Sequence, residues 1–202
     1  MVAAERDEAA RTAWRAEAKA LAPADLVFVD ETGTHTALTR LRARAPRGER
    51  AVGTAPRNRG PNVTLLAALT PSGIAAPLVV EGAADGAVVA TWVERALVPA
   101  LRPGQTVVLD NLSAHKGDRV RALVEGAGGR LLFLPADSPD VNPIEPAFAK
   151  RKAHLRGRAT RAFAPLVAAI GEGLTAITAA DARGFSAHCG FPLPTHPGGQ
   201  QL

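Results

Sequence analysis

Three short runs in the chain, "LVFV" at 26–29, "TVVL" at 106–109 and "RLLFL" at 130–134, are apolar at nearly every position. A strand with one buried face alternates; a run without alternation is buried on both faces, inside a sheet covered by helices. The first run leads directly into Asp30 and Glu31, and the second into Asp110. A carboxylate at the buried end of a strand is costly to desolvate unless something compensates it. The compensation expected here is a metal ion.

The rest of the chain fits such a sheet. Residues 4–21, rich in Ala, Glu and Arg, predict a helix. "NVTLLAALTPSGIAAPLVV" at 62–80 predicts two strands turning at Pro71-Ser72-Gly73. Helices are predicted over 86–100 and 117–126, the second ended by glycines. In "NPIE" at 142–145, Asn142 fits an N-cap, Pro143 the first helical position and Glu145 the third, opening a helix to about Arg156. One Ala-rich helix is predicted over 163–179. Three strands followed by strands separated by helices make the class α/β with a mixed sheet: an antiparallel three-strand start, then parallel strands. Sites in such sheets form at the carboxyl ends of parallel strands. The expected division is an N-terminal helix and linker over 1–22, one domain over 23–190 and a disordered tail over 191–202.

Asp30, Asp110 and Glu145 each stand at the boundary of a predicted element and can meet at one edge of the sheet. Three gathered carboxylates repel each other unless a cation intervenes. Mg²⁺ suits hard oxygen ligands, with Mn²⁺ as a substitute. Two such ions roughly 3.5–4 Å apart would activate a nucleophile on one side of a phosphodiester and stabilise the leaving oxygen on the other.

Charge points to the same substrate class. Lys and Arg number 24 against 19 Asp and Glu, and 13 of the 24 fall in two runs. The first holds Arg40, Arg42, Arg44, Arg47, Arg50, Arg57 and Arg59 in a Pro- and Gly-rich stretch; the second holds Lys150, Arg151, Lys152, Arg156, Arg158 and Arg161. We expect phosphate contacts from Arg40, Arg42, Arg44, Arg57, Arg59, Lys150, Lys152, Arg156 and Arg158, which position DNA without reading its sequence. His115 and Lys116, just after Asp110, are further candidates. A single cysteine, Cys189, excludes an intramolecular disulfide and suits a reducing cytosol. The charged N-terminus is no signal peptide, and no apolar run reaches membrane-spanning length.

From Asp110 to Glu145 there are 34 intervening residues. With that interval, "VFVDETGT", "VVLDNLSAHK" and "LFLPADSPDVNPIEPAFAKRKAHLR" resemble the three catalytic blocks of DDE transposases, in particular the bacterial insertion-sequence branch of the mariner superfamily. The resemblance runs from about Val27 to Phe191. It implies an RNase H-like fold and a metal-dependent polynucleotidyl transferase, with Asp30, Asp110 and Glu145 as the metal-binding triad. In that family water cleaves DNA at the element end, and the freed 3′-hydroxyl attacks target DNA with no covalent enzyme intermediate. It further implies transposon ends and target DNA as partners, a homodimer, and a cytoplasmic, nucleoid-associated setting. Relatives carry helix-turn-helix domains ahead of this region. One predicted helix precedes Asp30 here, so the expectation is a catalytic half whose recognition module is separately encoded or lost. The chain departs from the family at Ala136-Asp137, where an aromatic usually precedes the serine, and at "RNRGPN", where a His-Trp pair is usual.

Plainer readings exist for each feature. Glu145 fits a capping box with Asn142. Asp110 fits a strand exit, and the basic runs fit solvated faces. Glu31 should point away from Asp30. Asp137 and Asp140 read as loop formers, and His188 and Cys189 as structural residues. Two rival functions stand beside the transposase: an inactive DNA-binding remnant, and a stand-alone RNase H-like nuclease.

Overall fold

The computed structural model describes residues 7–110 and 117–193. The apolar runs become a five-stranded sheet: β1 (Leu26–Thr34), β2 (Val63–Thr70), β3 (Gly73–Glu81), β4 (Thr106–Leu109) and β5 (Arg130–Phe133). Their order is β3-β2-β1-β4-β5. β1 pairs antiparallel with β2, and β2 with β3, while β1–β4 and β4–β5 are parallel. The mixed sheet therefore has the expected antiparallel start and parallel continuation.

Helices cover both faces. On one lie α2 (Gly86–Trp92), α3 (Val98–Ala100) and α4 (Asp118–Gly126). A π-helical turn over Val93–Leu97 joins α2 to α3. Pro99, which has no N–H to donate, follows two residues after its end. On the other face lie α1 (Glu8–Lys19), α5 (Ile144–Arg158), α6 (Phe163–Thr175) and α7 (Ala179–His188). Strand periodicity sorts the two cores. Val27, Val29, Val107 and Leu109 pack with Val89, Trp92, Val93 and Leu97. Phe28 and Val108 pack with Trp14, Ile144, Phe148 and Ile170.

Three findings revise the expected elements. The helix expected over 163–179 ends at Thr175, and a further helix, α7, follows it at a bend of 75°. Thr178 starts α7 with a capping box: its hydroxyl accepts from Asp181 N–H, and its own N–H donates to the Asp181 carboxylate. The first helix is not set apart from the domain, because Trp14 and Ala18 are buried in the same core as the sheet. The rings of Trp14 and Phe28 meet Phe191 at centroid distances of 6.0 and 5.3 Å, so the ordered core extends to that residue. The tail beyond 193 lies outside the described residues. No single described helix is long and apolar enough to cross a membrane.

Candidate active site

The parallel β1–β4 ladder aligns Phe28 with Val108. Asp30 and Asp110 each lie two residues beyond that pair, Asp30 within β1 and Asp110 just past β4, and by period two Asp30 is on the α5 side of the sheet. Asp30 is buried, while Asp110, the first residue past β4, is half-buried. From β5 the chain continues through Leu134, whose N–H donates to Leu109 O at 2.7 Å. It then crosses above the strand ends, makes a 3₁₀ turn at Pro139–Val141 and enters α5. Glu145, in the first turn of α5, is exposed. Asp30, Asp110 and Glu145 line one cavity of about 360 Å³, together with Asp137, Ser138 and Asn142.

Asn142 has a different job from the one its spacing suggests. The N-cap position of α5 falls on Pro143, and no side chain caps the helix. The Asn142 side chain, 2% exposed, instead donates from Nδ2 to Asp30 Oδ2 at 2.9 Å. Asp30 Oδ1 accepts the N–H of Glu31 at 2.7 Å, so both oxygens of the buried carboxylate are oriented by donors. The Asn142–Glu145 capping box does not form; Glu145 contributes its N–H to Asn142 O at 3.1 Å. Asn142 Oδ1 is buried without a hydrogen-bond partner among the described residues. Sequence reasoning missed this role of Asn142.

The donor set, three carboxylates on one pocket wall, has the hard-oxygen chemistry that suits Mg²⁺ or Mn²⁺. Among the described residues, no three His, Cys, Asp or Glu side chains are drawn close enough to hold one metal ion. The acids line the pocket without closing a cage. Asp137 also faces the pocket, from a left-handed backbone with φ of 50°, a conformation that Asp tolerates.

Residues 25–165 match the family model described as "DDE superfamily endonuclease". The chain belongs to the DDE superfamily endonucleases. No curated protein matches it. Solved structures with the same fold include a Mos1 transposase paired-end complex with left transposon end (TM-score 0.70, 18% identity, 94% of this chain and 60% of that one). A pre-cleavage Mos1 transpososome gives a TM-score of 0.68 at 15% identity, over 94% of this chain and 61% of that one. The catalytic domain of Mos1 mariner transposase gives 0.61 at 13% identity, covering 94% and 91%. The DDE chain thus spans about three-fifths of the longer Mos1 chains and nearly all of their catalytic domain.

Outside the acids, the DDE domain sorts its basic residues by role. Arg151 leaves the expected phosphate-binding run: it is 0% exposed, and its three guanidinium nitrogens have no hydrogen-bond partner among the described residues. Burial lowers its pKa to about 10, and its guanidinium lies 5.8 Å from the Phe148 ring centroid. Lys150 pairs with Asp181 at 2.7 Å, and Arg158 pairs with Glu172. Arg161 donates to Thr36 O and Leu38 O, each at 2.9 Å, tying the start of the arginine-rich loop to the α5–α6 corner. Gly60 lets the loop close on itself, since a Cβ there would lie 2.6 Å from Thr36 Oγ1.

Arg40, Arg42, Arg156 and Arg161 line a second cavity, of about 480 Å³. Arg44, Arg57 and Arg59 are exposed on the loop and do not line it. Lys152 stands two turns along α5 from Glu145. Its pKa is lowered chiefly by burial, then by Arg151, while the charges of Glu145 and Asp30 act in the opposite direction. Lys152 therefore senses two of the three acids. His115 and Lys116 lie outside the described residues. Cys189 is buried, which pushes its thiol up to about 11.

Proposed function

We propose that the chain is the catalytic domain of a transposase, performing metal-dependent DNA cleavage and strand transfer with Asp30, Asp110 and Glu145 as metal ligands. The observation that carries this is the convergence of the three acids on one pocket, Asp30 from the middle of β1, Asp110 from just past the carboxyl end of β4 and Glu145 from the first turn of α5. Bound divalent cations would supply Lewis acidity, easing deprotonation of an attacking water or 3′-hydroxyl and neutralising charge on the leaving oxygen. Mg²⁺ is the proposed metal and Mn²⁺ its substitute; Mos1 paired-end complexes are known with each.

The chain's own residues supply orientation. Asn142 and the Glu31 N–H fix the Asp30 carboxylate. Lys152 and the Arg40, Arg42 and Arg156 cluster offer cations to DNA phosphates on the side of α5 that leads away from Glu145. Transposon ends and target DNA are the proposed substrates, handled by a homodimer in the bacterial cytoplasm. Recognition of end sequences belongs to a helix-turn-helix module, in this polypeptide or a separate one.

Purified protein with supercoiled plasmid and Mg²⁺ tests this reading. Nicking plus joined products is expected, and Asp110→Asn should cut the rate by about 10³-fold or more. Nicking without joining would make the chain a simple nuclease. The unclosed acid set favours one other reading, a DNA-binding remnant, and metal-independent binding with no cleavage would establish it.

A further inference from the structure

We propose that Arg11, on α1, is a positioning residue for the pocket: it clamps from behind the segment that carries Asn142 and Glu145. The inference rests on the reading of the pocket given above. Arg11 is 1% exposed, a burial that an arginine tolerates when its guanidinium is paired. It donates from Nη1 to Ser138 Oγ at 2.5 Å and from Nη2 to Asp140 Oδ2 at 2.6 Å. The Glu8 carboxylate lies 3.5 Å from its Nε.

Both main partners belong to the turn that builds the pocket wall. Ser138 passes its own hydroxyl to Ala136 O at 3.0 Å, and lines the cavity with Asn142. Between them the turn is closed by Val141 N–H to Ser138 O and Asn142 N–H to Pro139 O, at 3.2 and 3.1 Å. Asp140 faces away from the cavity, toward α1, where Arg15 approaches it at 3.5 Å. A continuous path of short contacts therefore runs from Arg11 through the turn to Asn142, and from Asn142 to Asp30. Glu145 hangs on the same segment through its N–H to Asn142 O. The guanidinium fork spans two acceptors at once, a geometry that a lysine ammonium does not reproduce.

The test compares three variants in the full chain: Arg11→Met, Arg11→Lys and Trp14→Leu. The last removes core packing and leaves the Arg11 hydrogen bonds to the turn in place. Hydrogen exchange of the amides over 138–146 is the first readout, and Mn²⁺ affinity by calorimetry the second. Arg11→Met should speed exchange across that segment by about tenfold and weaken Mn²⁺ binding by a similar factor, the scale of a hydrogen bond to a charged group. Arg11→Lys should fall between it and the native protein. Trp14→Leu should lower the melting temperature yet leave both readouts unchanged. Equal exchange over 138–146 in Arg11→Met and Trp14→Leu would overturn the proposal, reducing Arg11 to a structural ion pair. Should Arg11→Met fail to fold, Asp140→Asn removes the charge partner and keeps an acceptor; unchanged exchange there would overturn it as well. Loss of all Mn²⁺ binding in the native protein would defeat the metal-site reading, while the exchange comparison would still decide the role of Arg11.

Discussion

On one face of the sheet, Val27, Val29, Val107 and Leu109 meet Val89, Trp92, Val93 and Leu97 in a hydrocarbon layer, and the indole N–H of Trp92 finds Ala76 O at 2.7 Å. On the other face Phe28 and Val108 begin in the same way, but Asp30, Ser138, Asn142, Arg11 and Arg151 are buried among the apolar residues. Burying polar groups costs free energy unless each is paired, so a fold that needed only stability would build both faces like the first. The polar face is where the domain gives up packing for chemistry. Two arginines mark the difference within it: Arg11 has partners on the pocket wall, whereas the Arg151 guanidinium has no hydrogen-bond partner among the described residues.

Substitutions on the two faces should separate cleanly. On the sealed face, Leu97→Ala should cost about 2–5 kcal/mol of stability, seen in denaturant melts, with no change in the metal requirement of the folded protein. A shifted metal requirement would break the division of labour. On the polar face, Asn142→Ala should weaken metal affinity or nicking by about 10–100-fold, with a smaller loss of stability, because it releases Asp30 rather than opening a large cavity. Arg151→Met should do the reverse of both and stabilise the protein by about 1–4 kcal/mol, since it replaces an unpaired buried charge with a side chain of similar reach. Destabilisation would mean that Arg151 has an anionic partner.

The smallest effect expected is at the outer edge of the same face. Lys150 and Thr178 hold the Asp181 carboxylate down to about 2, below its ordinary 3.8. A depressed acid contributes stability that is present above its ordinary pKa and fades as pH falls toward the folded value. Melting temperature should therefore drop between about pH 4 and pH 2, and Asp181→Asn should flatten that part of the profile. An identical profile in the variant would remove the cap from the account.

Much of this was legible from residues alone. Unalternating runs announced doubly buried strands, and the acids that follow them marked the pocket, although β1 does not end at Asp30 but runs on to Thr34. The blocks around Asp30, Asp110 and Glu145 carried the resemblance to the family. What escaped had physical reasons. Arg151 belongs to the second basic run by charge alone, whereas Ile144, Ala147, Phe148 and Leu155 set a buried helical stripe that includes it. The α6–α7 break carried its own sign in Thr178 and Asp181, hidden by the alanines around them. Asn142 looked like a cap because local spacing cannot reveal an acceptor 112 residues away. Arg11 was hidden for the same reason, its Ser138 partner lying 127 residues along the chain.

The central claim is that Asp30, Asp110 and Glu145 bind divalent metal together, not merely that the pocket is acidic. Calorimetric titration of Mn²⁺ into the native protein, Asp30→Asn, Asp110→Asn, Glu145→Gln and Asp137→Asn tests it most directly. Binding that is lost or strongly weakened in the first three variants and kept in Asp137→Asn, whose side chain faces the same cavity, is the predicted result. Equal weakening in all four, or none in the first three, would contradict it.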